Sequence, residues 1–228
     1  MECKYCNNKC RCAGRQQNGM QRLYCKGCKK FQQQAYKYKA CSKDINESIG
    51  KLVCEGVGIR SAARILGIAA TTVMKKIKAI AASIAKPAIP MDRKCFELDE
   101  LRTFVRRKRN ECWVAYAICS HTKQVVDFIV GRRSKRTLKM ITGTLLLSGV
   151  ETVKTDKLNI YKSLIPAERH KASAYCINSI ERNNLNLRTH LKRLSRKTIC
   201  FSKSREMLEA CLKIYFWKNK LLSGVHQR

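Results

Sequence analysis

The pattern of apolar positions divides the chain into a helical part and a later part in which strands alternate with helices. Apolar residues recur at Ile45, Ile49 and Val53, and this spacing predicts an amphipathic helix that ends at Gly56. In "CFELDE", Phe96 and Leu98 fall on one face and Glu97 and Asp99 on the other, which is the pattern of a strand with one buried face. We therefore predict a helical unit followed by an α/β layer.

The segment "IRSAARILGIAATTVMKKIKAI" predicts two helices joined by a glycine turn. A short helix spans Ser61 to Leu66, Gly67 makes the turn, and a basic helix starts at Thr71. This arrangement is typical of a helix-turn-helix whose second helix enters the major groove of DNA. A small three-helix core with a solvated lysine face is the alternative. The candidate DNA contacts are polar or basic side chains: Arg60, Arg64, Thr71, Thr72, Lys75, Lys76 and Lys78.

The second part begins after "AASIAKPAIP", which holds two of the three prolines and is typical of a linker. "CFELDE", "CWVAYAIC" and "QVVDFIVG" predict three strands, residues 135–147 a helix, and "ETVKTD" a fourth strand that ends at Asp156. The chain from Ile177 onward is mostly helical. This order fits an α/β layer fold with a mixed sheet. The predicted units are residues 1–40, 41–82 and 94–228, with a linker at 83–93.

Two CxxC pairs, separated by 18 residues, have the spacing of a four-cysteine zinc ribbon: Cys3, Cys6, Cys25 and Cys28. So small a unit has little apolar core, and we expect its folding to depend on Zn²⁺. Ordinary reduced cysteines are the alternative. Cys10 and Cys12 form a CxC pair that either replaces one of the two pairs or stays free, and the sequence leaves this open.

The charge indicates a partner that carries many phosphates. Lys and Arg total 48 against 16 Asp and Glu, which gives a formal net charge of +32. We expect a soluble, intracellular protein, since the sequence has neither an apolar run of about 18 residues nor the apolar core of a signal peptide. Most of the 14 cysteines are then expected to be reduced.

Three acids stand out against this charge: Asp99 in the first strand of the α/β layer, Asp156 at the end of the fourth, and Glu181 near the start of a late helix. Ligand groups gather at strand ends in α/β sheets, and three carboxylates together suit Mg²⁺ or Mn²⁺. An ion pair with a neighbouring base is the alternative for each acid. For three others it is the favoured interpretation: Glu111, Asp127 and Glu168.

The region from "CFELDE" to "IYFWKNK" closely resembles the catalytic part of transposases of the insertion-sequence-one family. The matching pieces are "ELDE", "FVRRK", "WVAYA", "TD" followed by Tyr161, "IERNNLNLR", "HLKRLSRKTICFSKS" and "KIYFWKNK". "QRLYCKGCKK" and "GVGIRSAARILGIAATTVMKKIK" are similar to the zinc-ribbon and helix-turn-helix half of the same family. The resemblance covers nearly the whole chain, and "IERNNLNLR" is its most specific part.

The resemblance implies a ribonuclease-H-like catalytic domain in which Asp99, Asp156 and Glu181 are the catalytic residues and the ligands of Mg²⁺ or Mn²⁺. The helix that carries Glu181 would hold phosphates through Arg182, Arg188 and Lys192. One departure is visible. Lys157 and Leu158 stand where the family often has Gly-Trp, and we expect this change to leave the metal ligands untouched.

The function that the resemblance implies is DNA transposition. Such a protein binds double-stranded DNA at terminal inverted repeats, cleaves a strand at each end and transfers the ends to target DNA, as a homodimer or higher oligomer. Its expected place is the cytoplasm of a prokaryote, on the nucleoid. The alternative is a non-catalytic zinc-ribbon and helix-turn-helix repressor in which the acids are structural. A structure-specific nuclease is the weaker third interpretation.

Overall fold

A three-stranded antiparallel sheet forms the N-terminal part of the computed structural model, which describes residues 1–33, 36–42, 44–89, 94–172 and 177–218. Its strands are β1 (Cys10–Arg15), β2 (Gln21–Cys25) and β3 (Phe31–Gln33), in that spatial order. Tyr24 of β2 lies opposite Phe31 of β3, with the ring centroids 4.9 Å apart. This cross-strand pair is the main apolar contact between two very short strands.

Three helices follow, at α1 (Ile45–Cys54), α2 (Ile59–Leu66) and α3 (Ala70–Ser83). Gly67 ends α2 in the left-handed conformation, with φ +63°, as a residue without Cβ does at low cost. The predicted order of short helix, glycine turn and second helix is therefore confirmed at the level of secondary structure. Residues 84–89 belong to no helix or strand, and the rest of the predicted linker, residues 90–93, lies outside the described residues.

The second sheet is mixed and has the spatial order β6-β5-β4-β7-β8. The strands that pair antiparallel are β4 (Cys95–Phe104), β5 (Glu111–Cys119) and β6 (Val125–Gly131). After α4 (Lys135–Leu147), the chain adds β7 (Thr152–Thr155) parallel to β4 and β8 (His170–Ala172) parallel to β7. The predicted mixed α/β class is confirmed. The sequence pattern missed β8 and placed the end of β4 four residues too early.

The remaining helices are α5 (Asn159–Lys162), α6 (Asn178–His190) and α7 (Arg205–Lys213), followed by a π-helical turn at Ile214–Lys218. Short 3-10 turns occur at Lys39–Cys41, Ala167–Arg169 and Lys192–Leu194. No helix within the described ranges is both long enough and apolar enough to cross a membrane.

The five-stranded sheet buries both of its faces, because α4 and α5 cover one face and α6 and α7 cover the other. Phe96 and Leu98 of β4 pack with Leu138 and Ile141 of α4 on the first face. On the second face the apolar cluster is continuous with the core of α1, α2 and α3. The helices predicted as a DNA-binding unit are thus packed against the helices that cover the sheet.

Candidate functional site

Asp99, Glu100 and Asp156 come together where β4 and β7 lie side by side. The two strands are parallel, and their last paired residues are Leu98 and Thr155. Asp156 therefore emerges from β7 directly beside Asp99. One carboxylate oxygen from each of the three acids lies within 4.8 Å of the other two. An oxygen cluster of this kind suits a hard divalent cation such as Mg²⁺.

Asp99 is held by two hydrogen bonds on the face of the sheet that packs against α6. Its Oδ2 accepts from Asn184 Nδ2 at 2.7 Å, and its Oδ1 accepts from the backbone N–H of Glu100 at 2.8 Å. Asn184 in turn accepts from the hydroxyl of buried Tyr116 at 2.8 Å, which fixes its amide orientation. Burial raises the pKa of Asp99 to about 6, against the lowering effect of these bonds.

Glu100 leaves β4 on the opposite face, where its side chain is only 1% exposed. It accepts hydrogen bonds from the Tyr161 hydroxyl and from Arg133 Nη2, the latter at 3.0 Å. Burial raises the pKa of Glu100, while Tyr161 and Arg133 favour its ionised form. The Arg133 nitrogen also lies 3.8 Å from Asp156 Oδ2. A guanidinium therefore serves as counterion to two of the three acids.

Asp156 is oriented by the backbone that follows it. Its Oδ1 accepts from the N–H of Leu158 at 3.0 Å, an Asx-type turn that points the carboxylate back toward the strand end. The expectation that the Lys157 and Leu158 departure leaves the metal ligands untouched stays a prediction, because the contact with Asp156 comes from the main chain of Leu158 and not from the changed side chains. Since the bond uses only a backbone N–H, its geometry does not depend on the side chain at that position.

Glu181 lies in the first turn of α6, is exposed, and is not part of the group of three acids. Asn184, one turn later on the same helix, occupies the place against Asp99. The structure thus brings together two of the three predicted ligands, Asp99 and Asp156.

Glu97 positions the helix that carries Glu181 and Asn184. Its side chain is 3% exposed and accepts a hydrogen bond from the backbone N–H of Ile180 at 3.0 Å. A carboxylate in this place satisfies one of the free N–H groups in the first turn of α6 and interacts favourably with the helix dipole. Sequence reasoning left Glu97 without a role, although it alternates with buried apolar residues along β4.

The cations of α6 are differently placed. Arg182 lines an open cleft of about 470 Å³ together with Lys123 and Asn186. Arg188 is partly buried and donates to the carbonyl oxygen of Leu194 at 3.0 Å, and burial lowers the pKa of its guanidinium. Lys192 is exposed in the following 3-10 turn. Arg182 and Lys192 are therefore free to meet a phosphate, whereas Arg188 also holds the chain after α6.

The candidate DNA contacts of the helix-turn-helix fall into two groups. Thr72 Oγ1 lies 3.3 Å from the hydroxyl of Tyr38, Lys76 donates to Asn46 at 3.0 Å, and Lys78 pairs with Glu206 of α7 at 2.6 Å. These three have partners within the protein. The other four are exposed: Arg60, Arg64, Thr71 and Lys75. One of them, Arg64, also donates to Ser61 Oγ at 3.2 Å.

The four cysteines of the two CxxC pairs converge at one point, with their sulfur atoms within 4.8 Å of one another. The Sγ atoms of Cys3 and Cys28 are 3.5 Å apart, and those of Cys6 and Cys25 are 3.4 Å apart. Tetrahedral Zn²⁺ with Zn–S bonds of about 2.3 Å needs sulfurs about 3.8 Å apart, so the donor set fits this ion.

Cys10 and Cys12 lie outside the four-sulfur group. Cys10 is beside it, where its sulfur accepts from Gln32 Nε2 at 3.0 Å. Cys12 is exposed on β1. The question that the sequence left open is answered for the geometry, because the two CxxC pairs form the group without the CxC pair.

Two of the acids assigned to ion pairs have such partners. Asp127 Oδ2 lies 2.7 Å from Lys86 Nζ, and Glu111 Oε1 lies 2.8 Å from Arg102 Nε. His190, at the end of α6, lies 2.7 Å from the Tyr215 hydroxyl through its Nδ1. This contact joins α6 to the π-helical turn, and it gives His190 a packing role.

Comparisons with known proteins agree on one family. The family model described as IS1 transposase matches residues 93–221, more than half of the chain. The insertion element iso-IS1n protein InsB of Shigella dysenteriae is 35% identical over 123 residues, which cover 54% of this chain and 94% of the relative. The insertion element IS1 protein InsB of Shigella sonnei is 39% identical over 113 residues, covering 50% of this chain and 86% of the relative.

Among solved structures, a chain of the simian T-cell lymphotropic virus intasome in complex with PP2A regulatory subunit B56 gamma is similar at 14% identity and a TM-score of 0.38. The similarity covers 72% of this chain and 66% of that one. A likeness at this level carries no argument about function.

Proposed function

Because the chain belongs to the IS1 transposase family, we propose that it is a DNA transposase that binds the terminal inverted repeats of an insertion sequence and catalyses metal-dependent strand cleavage and strand transfer. The observation that carries this proposal is the meeting of Asp99 and Asp156 at the adjoining strands β4 and β7. A DNA-binding protein without chemistry has no need to gather acids there, since each one repels the phosphates it must hold.

We propose that residues 94–228 form a ribonuclease-H-like catalytic domain. The support is the order of the sheet, in which three antiparallel strands are followed by a helix and then by a strand parallel to the first. This connectivity places the central strand β4 beside β7, and so places one acid of each strand at the same point. The proposed N-terminal units are a zinc ribbon at 1–40 and a helix-turn-helix at 41–82, with the linker at 83–93.

The proposed ligands of Mg²⁺ or Mn²⁺ are Asp99, Asp156 and Glu181. The ion supplies Lewis-acid activation of the attacking oxygen and stabilisation of the leaving oxygen when it is bound. Asn184 fixes the orientation of Asp99, and the Leu158 N–H fixes that of Asp156. Glu181 is close in sequence to Asn184 on the same side of α6 and is free to turn toward the pair, because it is exposed.

The reaction has two steps. Water attacks a phosphodiester at each end of the element and leaves a free 3′-hydroxyl. That hydroxyl then attacks a phosphodiester of the target DNA, so one phosphodiester bond forms for each one broken. Arg182 and Lys192 are proposed to hold the phosphates on either side of the reacting one, and Arg188 contributes from its partly buried position.

The N-terminal units supply recognition in this proposal. The four sulfurs bind Zn²⁺ and stabilise the ribbon, and α3 presents Thr71 and Lys75 to the major groove. Arg60 and Arg64 of α2 meet the phosphates beside it. The partner is double-stranded DNA, both terminal repeats and target. Since two ends must be joined, the active form is a homodimer or a higher oligomer.

The test compares Asp156→Asn and Glu181→Gln with Glu168→Gln, an exposed acid outside the cluster that loses the same charge. The first two should abolish cleavage and transfer in Mg²⁺ while binding to the terminal repeats stays within a few fold, and the control should behave as the wild type. Cleavage by Asp156→Asn at the wild-type rate would remove the enzymatic function. Binding without any cleavage by the wild type would favour the repressor.

Glu100→Gln separates two assignments of the third ligand. Arg133 neutralises Glu100 and the Tyr161 hydroxyl donates a hydrogen bond to it, so we expect this variant to retain measurable cleavage, whereas Glu181→Gln does not. If Glu100→Gln is inactive and Glu181→Gln is active, the three metal ligands are instead Asp99, Glu100 and Asp156, which the fold already brings together.

A further inference from the structure

A second concave site adjoins the acids, and none of the roles above uses it. This cleft has a volume of about 650 Å³, within the range of about 300–1,000 Å³ that is usual for small-molecule sites. Its lining is one aromatic ring, one amide, one carboxylate and three guanidinium groups: Trp113, Asn110, Glu111, Arg109, Arg132 and Arg133.

The indole ring of Trp113 is held in place at one edge. Its Nε1 donates to Glu111 Oε1 at 2.9 Å, and the same oxygen accepts from Arg102 Nε at 2.8 Å. Trp113 is paired across the strands with Arg102 of β4 and Gly131 of β6, so its backbone is part of the central sheet. An aromatic ring fixed in this way and only partly buried loses little entropy when a flat partner packs on it.

Arg133 forms a wall between the cleft and the acids. Its guanidinium carbon lies 4.6 Å from the centre of the Trp113 ring, and its Nη2 lies 3.0 Å from Glu100 and 3.8 Å from Asp156. Anything bound in the cleft is therefore one side chain away from the oxygens that are proposed to hold the metal.

The charge of the cleft selects an anion. Three guanidinium groups line it against one carboxylate. Glu111 is already paired with Arg102 and Arg133 with Glu100, so Arg109 and Arg132 supply the remaining positive charge. Arginine binds phosphate oxygens in a bidentate manner, and both indole and guanidinium planes stack on nucleobases. Within a duplex each base is covered on both faces by its neighbours, so only an unstacked base can pack on Trp113.

We propose that this cleft binds an unpaired nucleotide of the DNA end, next to the phosphate that is cut. The base stacks on Trp113, and Arg109 and Arg132 hold the phosphate that follows it. Because every base has a π face, the site takes any of the four bases and reads the single-stranded character of the end. The position of the nucleotide next to the cut phosphate rests on the proposed function. The preference for an unpaired base follows from the cleft alone and is tested by binding.

The experiment uses the full-length protein and a short duplex with a single-stranded 3′ overhang that carries 2-aminopurine, with no Mg²⁺ added so that cleavage does not intervene. The wild type should quench the fluorescence of 2-aminopurine and bind the overhang duplex more tightly than the matching blunt duplex. Trp113→Ala should lose the quenching and weaken overhang binding by about 5- to 100-fold, with blunt binding unchanged. Trp113→Phe keeps an aromatic face and should retain most of the preference.

Two further variants separate stacking from general loss of fold or charge. Leu147→Ala replaces a side chain that is 92% exposed at the end of α4 and should match the wild type in every measurement. Arg109→Ala should weaken overhang binding without abolishing quenching, since the ring remains.

The result that overturns the proposal is an overhang preference and quenching in Trp113→Ala equal to those of the wild type. Loss of the preference in Trp113→Phe as well as in Trp113→Ala, with blunt binding also lost, would assign the ring a folding role and overturn it too. If the wild type cleaves ends in Mg²⁺ but shows no quenching, the proposal for the cleft is wrong and the proposed function stands. If the wild type quenches the fluorescence but never cleaves, the proposed function is wrong and the nucleotide site in the cleft stands.

Discussion

Gly56 lies where the end of α1 meets the end of α6, the helix beside the acids, and Gly56→Ala tests that contact. The residue follows α1, has φ +67° and is buried. A Cβ built on it would lie 2.0 Å from the carbonyl oxygen of His190 and 3.1 Å from the carbonyl carbon, at the last residue of α6. Because the added Cβ would clash with backbone atoms, the clash is relieved only if the backbone at the end of α6 shifts.

The expected cost has two parts. A residue with a Cβ in the left-handed region costs about 1–2 kcal/mol, and overpacking a filled site costs about 1–3 kcal/mol more. Gly149→Ala isolates the first part, because Gly149 has φ +75° and nothing within 4 Å of its added Cβ. The unfolded chain loses similar freedom in both variants. We expect Gly56→Ala to lower the free energy of unfolding by about 2–5 kcal/mol and Gly149→Ala by about 1–2 kcal/mol.

Denaturant unfolding followed by circular dichroism measures the difference, with thermal unfolding as a second method. A domain of this size shifts its Tm by about 2–4 °C per kcal/mol, so the two variants should differ by about 2–12 °C. Equal losses in the two variants would mean that α1 and α6 are not in contact in solution. A second, earlier transition in Gly56→Ala would mean that the helices unfold apart from the sheet.

Three other measurements test the zinc ribbon, the phosphate contacts and the burial of Asp99. Cys25→Ser should lose bound zinc and binding to the terminal repeats while the five-stranded sheet stays folded, whereas Cys12→Ser should keep both zinc and binding. Purified protein without zinc would contradict the zinc ribbon. With a net charge of +32, affinity for DNA should fall by about 10³-fold or more between 50 and 200 mM salt, and a flat dependence would refute the phosphate contacts. Burial raises the pKa of Asp99 to about 6. The metal-free protein should therefore lose about 2 kcal/mol of stability relative to Asp99→Asn as the pH rises from about 4 to 6. A difference between the two proteins that stays constant over this pH range, measured by urea unfolding, would contradict this.

The sequence predicts local structure well where the periodicity of apolar residues agrees with the turn-forming residues that bound an element. The helix at Lys135–Leu147 has a stripe of Leu138, Ile141 and Leu145 and coincides with α4, because all three pack on one face of the sheet. The glycine turn at Gly67 was predictable from its residue type. β8 was not, since its three residues, "HKA", have no apolar alternation and pair only because β7 lies beside them.

The candidate site was predictable in part. Asp99 and Asp156 follow from their place in strands, whereas Glu100 was missed because alternation assigns it to the apolar face of β4. An acid on that face was the available signal, as it requires buried partners such as Tyr161. Asn184 was missed as a partner of Asp99, because this hydrogen bond depends on the packing of α6, which no local pattern contains.

The position of Arg133 makes the two sides of its guanidinium interdependent. A cation at Asp156 would compete with the 3.8 Å contact of Arg133, whose 3.0 Å bond to Glu100 would remain, and the guanidinium would then be less neutralised toward an anion on its Trp113 side. By reciprocity, a nucleotide that draws Arg133 away from the carboxylates raises the affinity of those oxygens for the cation by the same factor. Binding of DNA and binding of the metal ion would then be thermodynamically linked through a single side chain, and each would bind more weakly without the other.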